Sequence, residues 1–288
     1  MDLCDIGQIR ALLSGPGFRF SKSMGQNFLT AAWVPERIAL EAELDEKTCV
    51  LEVGPGIGCL TVQLSKYAGK VVAVELDNAL KPVLEVTLKD SENTKVIFGD
   101  VLKLNIPALV KEEFAGMRPV VCANLPYNIT SPLISAFIDA GCFDTLTLMV
   151  QREVAHRICA KAGTADYGAF TVYTNWHAEP EILFDVSPDC FMPQPKVWSS
   201  VINLKIRREP PVQVADEKLF FAVVRAAFNQ RRKTLLNALS SGLSGYAKET
   251  LNEVIVSCGF DPLIRGEALD IAGFAAVSNA LAELRKVQ

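Results

Sequence analysis

Short apolar, β-branched runs recur along the first two-thirds of the chain, each followed by a stretch with helical spacing. This alternation constrains the fold more than any other feature. Cys49–Val53 reads as a buried strand, Leu60–Tyr67 as helix, Val71–Glu75 as strand and Ala79–Leu88 as helix. The pattern continues with a strand at Val96–Phe98 that stops at Gly99-Asp100 and one at Val120–Ala123 that stops at Asn124. A helix at Pro132–Ala140 and a strand at Leu146–Val150 follow. A half-solvated antiparallel sheet would alternate apolar and polar residues, whereas strands that are apolar throughout belong to a parallel sheet covered on both faces. The expected class is α/β with a mostly parallel sheet. Phe170–Trp176 and Val201–Ile206 read as further strands at an antiparallel edge.

The pattern changes on either side of this region. Residues 1–47 read as helix, loop, helix, with Gly15-Pro16-Gly17 breaking the first helix and a second running from Trp33 to Leu44. Arg208-Glu209-Pro210-Pro211 reads as a linker. Beyond it, helical spacing at Glu217–Phe228, Arg232–Leu239, Lys248–Cys258 and Gly273–Leu284 predicts a small all-helical domain. The expected division is an α/β domain over 1–207 and a helical domain over 208–288. Half of the 288 residues are hydrophobic, enough for one large core and one small one.

Composition narrows the function classes. The eight cysteines form no C-x-x-C pair, and His156 and His177 have no ligand spacing, so neither a zinc site nor a disulfide frame is expected. The first ten residues lack a basic-then-apolar run, and no apolar stretch is long enough to span a bilayer. A soluble, cytoplasmic monomer without metal or membrane is the expectation. The formal net charge of -4 speaks against a strong hold on nucleic acid. Residues 205–288, however, carry 12 Lys and Arg against 9 Asp and Glu, and a basic face can exist on an acidic whole.

The first chemical signal is Leu51-Glu52-Val53-Gly54-Pro55-Gly56-Ile57-Gly58, where a strand turns into a helix. Glycines there let backbone N–H groups approach a ligand. A dinucleotide fingerprint, G-x-G-x-x-G/A, fails because its last position falls on Cys59. The G-x-G-x-G after Glu52 resembles the first motif of class I methyltransferases. The second signal is Glu75, at the end of the next strand, where a carboxylate can accept both ribose hydroxyls of a nucleoside. That feature suits NAD and S-adenosylmethionine equally. The third is Asp100, followed by Val101, where a carboxylate can accept from an adenine amine. The ends of consecutive parallel strands converge on one crevice, so Gly54, Gly56, Glu75, Asp100 and Val101 are candidate contacts for a nucleoside cofactor.

The next strand runs into Asn124-Leu125-Pro126-Tyr127. An exocyclic adenine amine is a poor nucleophile, because its lone pair is delocalised into the ring. Two acceptors on its two hydrogens pull the nitrogen towards tetrahedral geometry and localise that pair. The Asn124 side-chain oxygen and the Leu125 carbonyl can supply them. Pro126 stiffens the turn and has no N–H to compete. Tyr127 can stack on the base, and positioning is then the main catalytic contribution. Phe191, in a loop held by Pro193 and Pro195, is the candidate for the other face of the base, with an anchoring core residue as the equal alternative. A base gripped in this way must leave its stack.

With these residues in view, the chain resembles the ribosomal RNA adenine dimethyltransferases, most closely their bacterial small-subunit branch. The resemblance spans nearly the whole chain. It is carried by Gly25-Gln26-Asn27-Phe28-Leu29, Glu52 to Gly58, Glu75, Gly99-Asp100, Asn124 to Asn128, Phe191 to Ser199 and Arg225 to Leu235. It implies a Rossmann-like class I methyltransferase domain that uses S-adenosyl-L-methionine. The implied substrate is two adjacent adenosines in a hairpin loop near the 3′ end of 16S rRNA, each dimethylated at N6 in an immature 30S subunit. It also implies cofactor contacts at Asn27, Leu29, Gly54, Glu75, Asp100 and Asn124, with Gln26 in the same motif and residues 1–47 as a lid.

Arg231-Arg232-Lys233, with Arg225 before them, is the candidate phosphate contact, and a solvated helix face is the equal alternative. On one continuous helix Arg225 and Arg232 would share a face. Besides an NAD enzyme, which the Cys59 position speaks against, two other readings stand beside the small-subunit enzyme. One is a relative that methylates 23S rRNA with the same tetrapeptide. The other is an assembly factor whose value lies in binding.

Overall fold

The structure, a computed structural model, describes residues 1–14 and 26–287. Gly15-Pro16-Gly17 therefore lies outside the described residues. The chain divides into two compact units, Met1–Ala155 with Glu181–Ile206, and His156–Pro180 with Arg207–Gln288.

The first unit is built on β2 (Thr48–Val53), β3 (Lys70–Glu75), β4 (Thr94–Phe98), β5 (Arg118–Asn124), β6 (Thr145–Gln151), β9 (Ser199–Ile206) and all but the first three residues of β7 (Ala178–Val186). Among the described residues they form a seven-stranded sheet in the order β4-β3-β2-β5-β6-β9-β7. The pairs β2·β3, β3·β4, β2·β5 and β5·β6 are parallel, and β6·β9 is antiparallel. Every residue of β2 is buried, as a strand covered on both faces requires. A separate short pair joins β1 (Phe28–Leu29) to β8 (Phe191–Met192). From β2 the chain winds outward through β3 to β4, then returns to place β5 on the other side of β2. A crevice opens at such a reversal, outside the carboxyl ends of the strands.

The expected strands from Cys49 to Val150 are all present, and Val201–Ile206 lies in antiparallel β9. Strand β7 was not expected, because Glu179, Pro180 and Glu181 obscure its pattern. Proline is tolerated there because β7 lies at the edge of the sheet. Near the N-terminus, Asp5 caps helix Ile6–Leu13 by accepting from the Gln8 N–H at 2.8 Å. The helix from Trp33 ends at Glu41 rather than Leu44.

Phe170–Trp176 is helix, not strand: it lies within Ala169–His177. Its β-branched residues suggest a strand, but Thr174 returns its hydroxyl hydrogen to the Phe170 carbonyl one turn back, at 2.9 Å. The face carrying Val172 and Trp176 is buried in the second unit, where Trp176 stacks on Phe220 with ring centroids 4.3 Å apart. This packing overrides local propensity. It also groups His156–Pro180 with the C-terminal helices, whereas the sequence division at 207/208 leaves that segment with the sheet.

The remainder of the second unit is helical: Glu217–Asn229, Leu235–Gly242, Lys248–Ser257 and Ile271–Val287. Asp216 caps the first by accepting from the Leu219 N–H at 3.0 Å. Thr234 stands at the start of the second, which begins after Arg232 rather than at it. Arg225 and Arg232 therefore do not share a helix, and their common face does not exist. Among the described residues no helix is long and apolar enough to cross a membrane.

Candidate active site

The carboxyl ends of β2, β3, β4 and β5 meet at a cavity of about 270 Å³. Its lining includes Gly54 and Gly56 after β2, Glu75 at the end of β3, Asp100 and Val101 after β4, and Asn124, Leu125, Pro126 and Tyr127 at the end of β5. Gln26, Asn27 and Leu29 line it from the N-terminal segment. All the residues singled out from the sequence for the cofactor, and the whole tetrapeptide, thus face one space.

The turn after β2 is shaped by its glycines. Gly54 has a φ of +69°, and a side chain added there would meet nothing within 4 Å, so its backbone faces open space. A Cβ on Gly56 would approach the Phe28 ring to 3.2 Å. Both positions have the left-handed backbone that disfavours a side chain.

Glu75 is buried at 6% exposure, yet its two oxygens are held apart by separate donors. The Gly56 N–H donates to one at 3.2 Å and the Asp77 N–H to the other at 2.8 Å. A carboxylate has about four acceptor sites, so acceptor capacity remains for a ligand hydroxyl. Burial pushes its pKa up, the Asp77, Gly56 and Leu76 N–H groups oppose the shift, and the Asp77 charge adds to it. Gln26 donates to Asp77 at 2.8 Å, which ties the N-terminal segment to the same turn. Asp100 caps the turn after β4, accepting from the Leu102 N–H at 3.1 Å.

Glu52 also lines the cavity. Its side chain is buried, and one carboxyl oxygen has no hydrogen-bond partner. Burial pushes its pKa to about 8; the Thr61 hydroxyl opposes that shift and the neighbouring Glu75 charge adds to it. Among the described residues lining the cavity, three carry carboxyl groups and none is Lys, Arg or His. With Glu52 held protonated by burial, Glu75 and Asp100 are the carboxyl groups left to give the lining its acidic character, which disfavours an anionic pyrophosphate.

The tetrapeptide is fixed from two sides. The Leu125 N–H donates to the Met149 carbonyl of β6 at 3.1 Å, and the Thr130 hydroxyl donates to the Pro126 carbonyl at 3.1 Å. The Tyr127 hydroxyl lies 2.6 Å from the Ser199 hydroxyl at the start of β9. Burial raises the Tyr127 pKa, and the Ser199 hydrogen bond opposes that shift.

Two sequence-based candidates fall elsewhere. Phe191 is not in the lining: it is 4% exposed and packs in a core cluster with Leu29, Val34 and Cys190. Its strand β8 pairs with β1, so Phe191 lies opposite Leu29. Arg231 is occupied within its own unit. Its guanidinium donates to Glu267 at 2.8 Å and to the Thr164 and Ala165 carbonyls, so these groups, rather than phosphate, satisfy its fork. Arg225, Arg232 and Lys233 are exposed. Sequence reasoning quoted Glu52 only as part of a motif and gave Ser199 no role. A charged residue inside an apolar strand was the available signal for the first.

Residues 17–259 match the model of the family described as ribosomal RNA adenine dimethylase. A protein of Geobacillus kaustophilus (strain HTA426), named ribosomal RNA small subunit methyltransferase A, is 45% identical over 98% of this chain and 98% of its own length. The protein of the same name from Listeria monocytogenes serovar 1/2a is 44% identical over 99% and 98%. Among solved structures, the 23S rRNA methyltransferase ErmE superposes with a TM-score of 0.68 at 26% identity, covering 88% of this chain and 99% of that one. A dimethyladenosine transferase from Plasmodium falciparum gives 0.74 at 24% identity over 90% and 97%, a likeness of fold.

Proposed function

Since this chain belongs to the ribosomal RNA adenine dimethylase family, and is thereby an rRNA adenine dimethyltransferase, we propose that it dimethylates N6 of two adjacent adenosines in the 3′-terminal hairpin loop of 16S rRNA. The proposed donor is S-adenosylmethionine and the proposed substrate an immature small subunit in the cytoplasm. The observation that carries this reading is the sharing of one cavity by Asn124-Leu125-Pro126-Tyr127 with Gly54, Glu75 and Asp100. The full-length relatives at 44–46% identity favour the small-subunit target over the 23S target named for the more distant ErmE.

The lining fits the proposed donor. The open backbone at Gly54, the acceptor capacity of Glu75 and the unpartnered oxygen of buried, protonated Glu52 are polar groups that an amino-acid nucleoside would use. Glu75 would hold the ribose, Asp100 and Val101 the adenine, and Gln26, Asn27, Leu29, Gly54 and Gly56 would enclose the remainder. When bound, the donor supplies an electrophilic methyl group on a sulfonium.

The remaining work belongs to the chain. In the first transfer Asn124 Oδ1 and the Leu125 carbonyl accept the two N6 hydrogens of the target adenine and localise its lone pair; in the second, the methylated amine has one hydrogen left, which one of these acceptors holds. Tyr127 covers one face of the extruded ring. No strong base is needed, since the amine becomes acidic as it gains the methyl and its proton can pass to water. The acidic lining disfavours phosphate, so the RNA backbone must be held elsewhere; exposed Arg225, Arg232 and Lys233 are the proposed contacts.

The test is to incubate the protein with undermethylated 30S and with 50S particles and map labelled methyl groups on the rRNA. Two adjacent dimethylated adenosines near the 3′ end of 16S rRNA are expected. Transfer to 50S alone would overturn the target.

A further inference from the structure

We propose that Ser199 is a positioning residue for methyl transfer: its hydroxyl holds the Tyr127 ring in the attitude that stacks on the target adenine. The inference rests on the reading of Tyr127 as the stacking aromatic. The two hydroxyls are 2.6 Å apart, although 72 residues separate them in sequence. Ser199 is 0% exposed, so no water competes for its hydroxyl.

Its backbone is well anchored. Ser199 pairs with Gln151 across the β6·β9 ladder, and the adjacent Trp198 carbonyl accepts from the Arg152 N–H at 2.9 Å. Strand β6 also receives the Leu125 N–H. The tetrapeptide is thus tied to one rigid ladder twice, through its backbone at Leu125 and through a side chain at Tyr127. The backbone tie fixes where the turn sits. It leaves the two torsions of the tyrosine side chain undetermined, and the Ser199 bond restrains them. A ring pinned at its far end presents its face to a base without first losing rotational freedom, which is the kind of gain that appears in the rate.

The test is a double-mutant cycle on 30S methylation with S199A, Y127F and the double variant. Y127F breaks the same bond from the other end, so the cycle survives if one variant folds poorly. A net hydrogen bond of about 0.5–1.5 kcal/mol corresponds to roughly a 2- to 12-fold effect. Both single variants are expected to lose about that factor in kcat, with affinity for S-adenosylhomocysteine and KM for the particle unchanged. The double variant should be no slower than the slower single one. A 2-aminopurine at the target position should show weaker stacking quench in S199A. Wild-type kcat in S199A, or fully multiplicative losses in the double variant, would overturn the inference. Y127A separates the readings. If Y127A is inactive while S199A is unimpaired, only the role of Ser199 falls. If Y127A transfers methyl groups normally, the stacking role of Tyr127 falls and that of Ser199 with it.

Discussion

The two flanks of the cavity are built differently. On the β2-β3-β4 side the polar groups at the strand ends are held by backbone N–H groups of the turns after the strands: Glu75 by those of Gly56 and Asp77, and Asp100 by that of Leu102. On the β5 side the tetrapeptide depends on distant partners, Met149 and Ser199. The first flank is acidic and the second is amide, carbonyl and aromatic. This division suits a cationic donor on one side and a neutral base on the other. It shows that one crevice can combine a pocket organised by turn N–H groups with a gripping surface whose tyrosine is held by a side chain from a later strand.

The division can be tested by damaging each flank separately. The largest effect is expected for Asn124→Ala, which removes an acceptor from the amine. Transfer to 30S particles should fall by roughly 10²–10³-fold, the scale for a lost transition-state hydrogen bond. Particle binding, measured by sedimentation, should persist; wild-type transfer by this variant would remove the proposed chemistry.

Glu52→Gln comes next and is read as stability against pH. The folded state keeps the Glu52 proton up to about pH 8, while the unfolded chain loses it near the ordinary glutamate value. Stability of the wild type should therefore decline as pH rises from about 4.5 to 8 and level off above, by an amount on the order of a few kcal/mol. The variant lacks that slope, so the gap between the two Tm values should widen in its favour between pH 5 and 8. Parallel Tm curves would mean that Glu52 is ionised in the fold.

Glu75→Ala should weaken binding of S-adenosylhomocysteine by roughly 10- to 100-fold in calorimetry, the scale for hydrogen bonds to a charged group. It should do so more than Asn124→Ala does, and the reverse order would erase the distinction between the flanks. The smallest effect is expected from Arg232→Ala with Lys233→Ala. Affinity for the particle should drop several-fold, and the dependence of log affinity on log salt should become shallower by up to about 2 if both touch phosphate. An unchanged slope would return these residues to a solvated surface.

The same asymmetry explains what could be read in advance. The sheet was legible because strands buried on both faces need mostly apolar residues, as β2 has at Cys49–Leu51 and Val53, with Glu52 the charged exception. Gly54, Glu75 and Asp100 were legible because each works at a strand end beside its own turn. Ser199 was not, because its partner is brought near only by β9 folding back against β6. The position of Phe191 depended on the β1·β8 pair, which joins residues far apart in sequence. Arg231 reads as a free cation until Glu267 and the 164–165 carbonyls are folded around it. Helix Ala169–His177 was missed because its β-branched content favours a strand and only the packing of Trp176 on Phe220 decides otherwise.

The grouping of His156–Pro180 with Arg207–Gln288 has a practical bearing on dissection. Cutting the polypeptide at Arg208 would not liberate a tidy catalytic fragment. The severed product would retain Tyr167, Val172 and Trp176 while discarding the Phe220, Val223 and Phe274 neighbours that shield them from water. Such a stump should be sticky and short-lived. Anyone grafting the helical module onto another methyltransferase would need to transplant both pieces, as an insertion plus a tail.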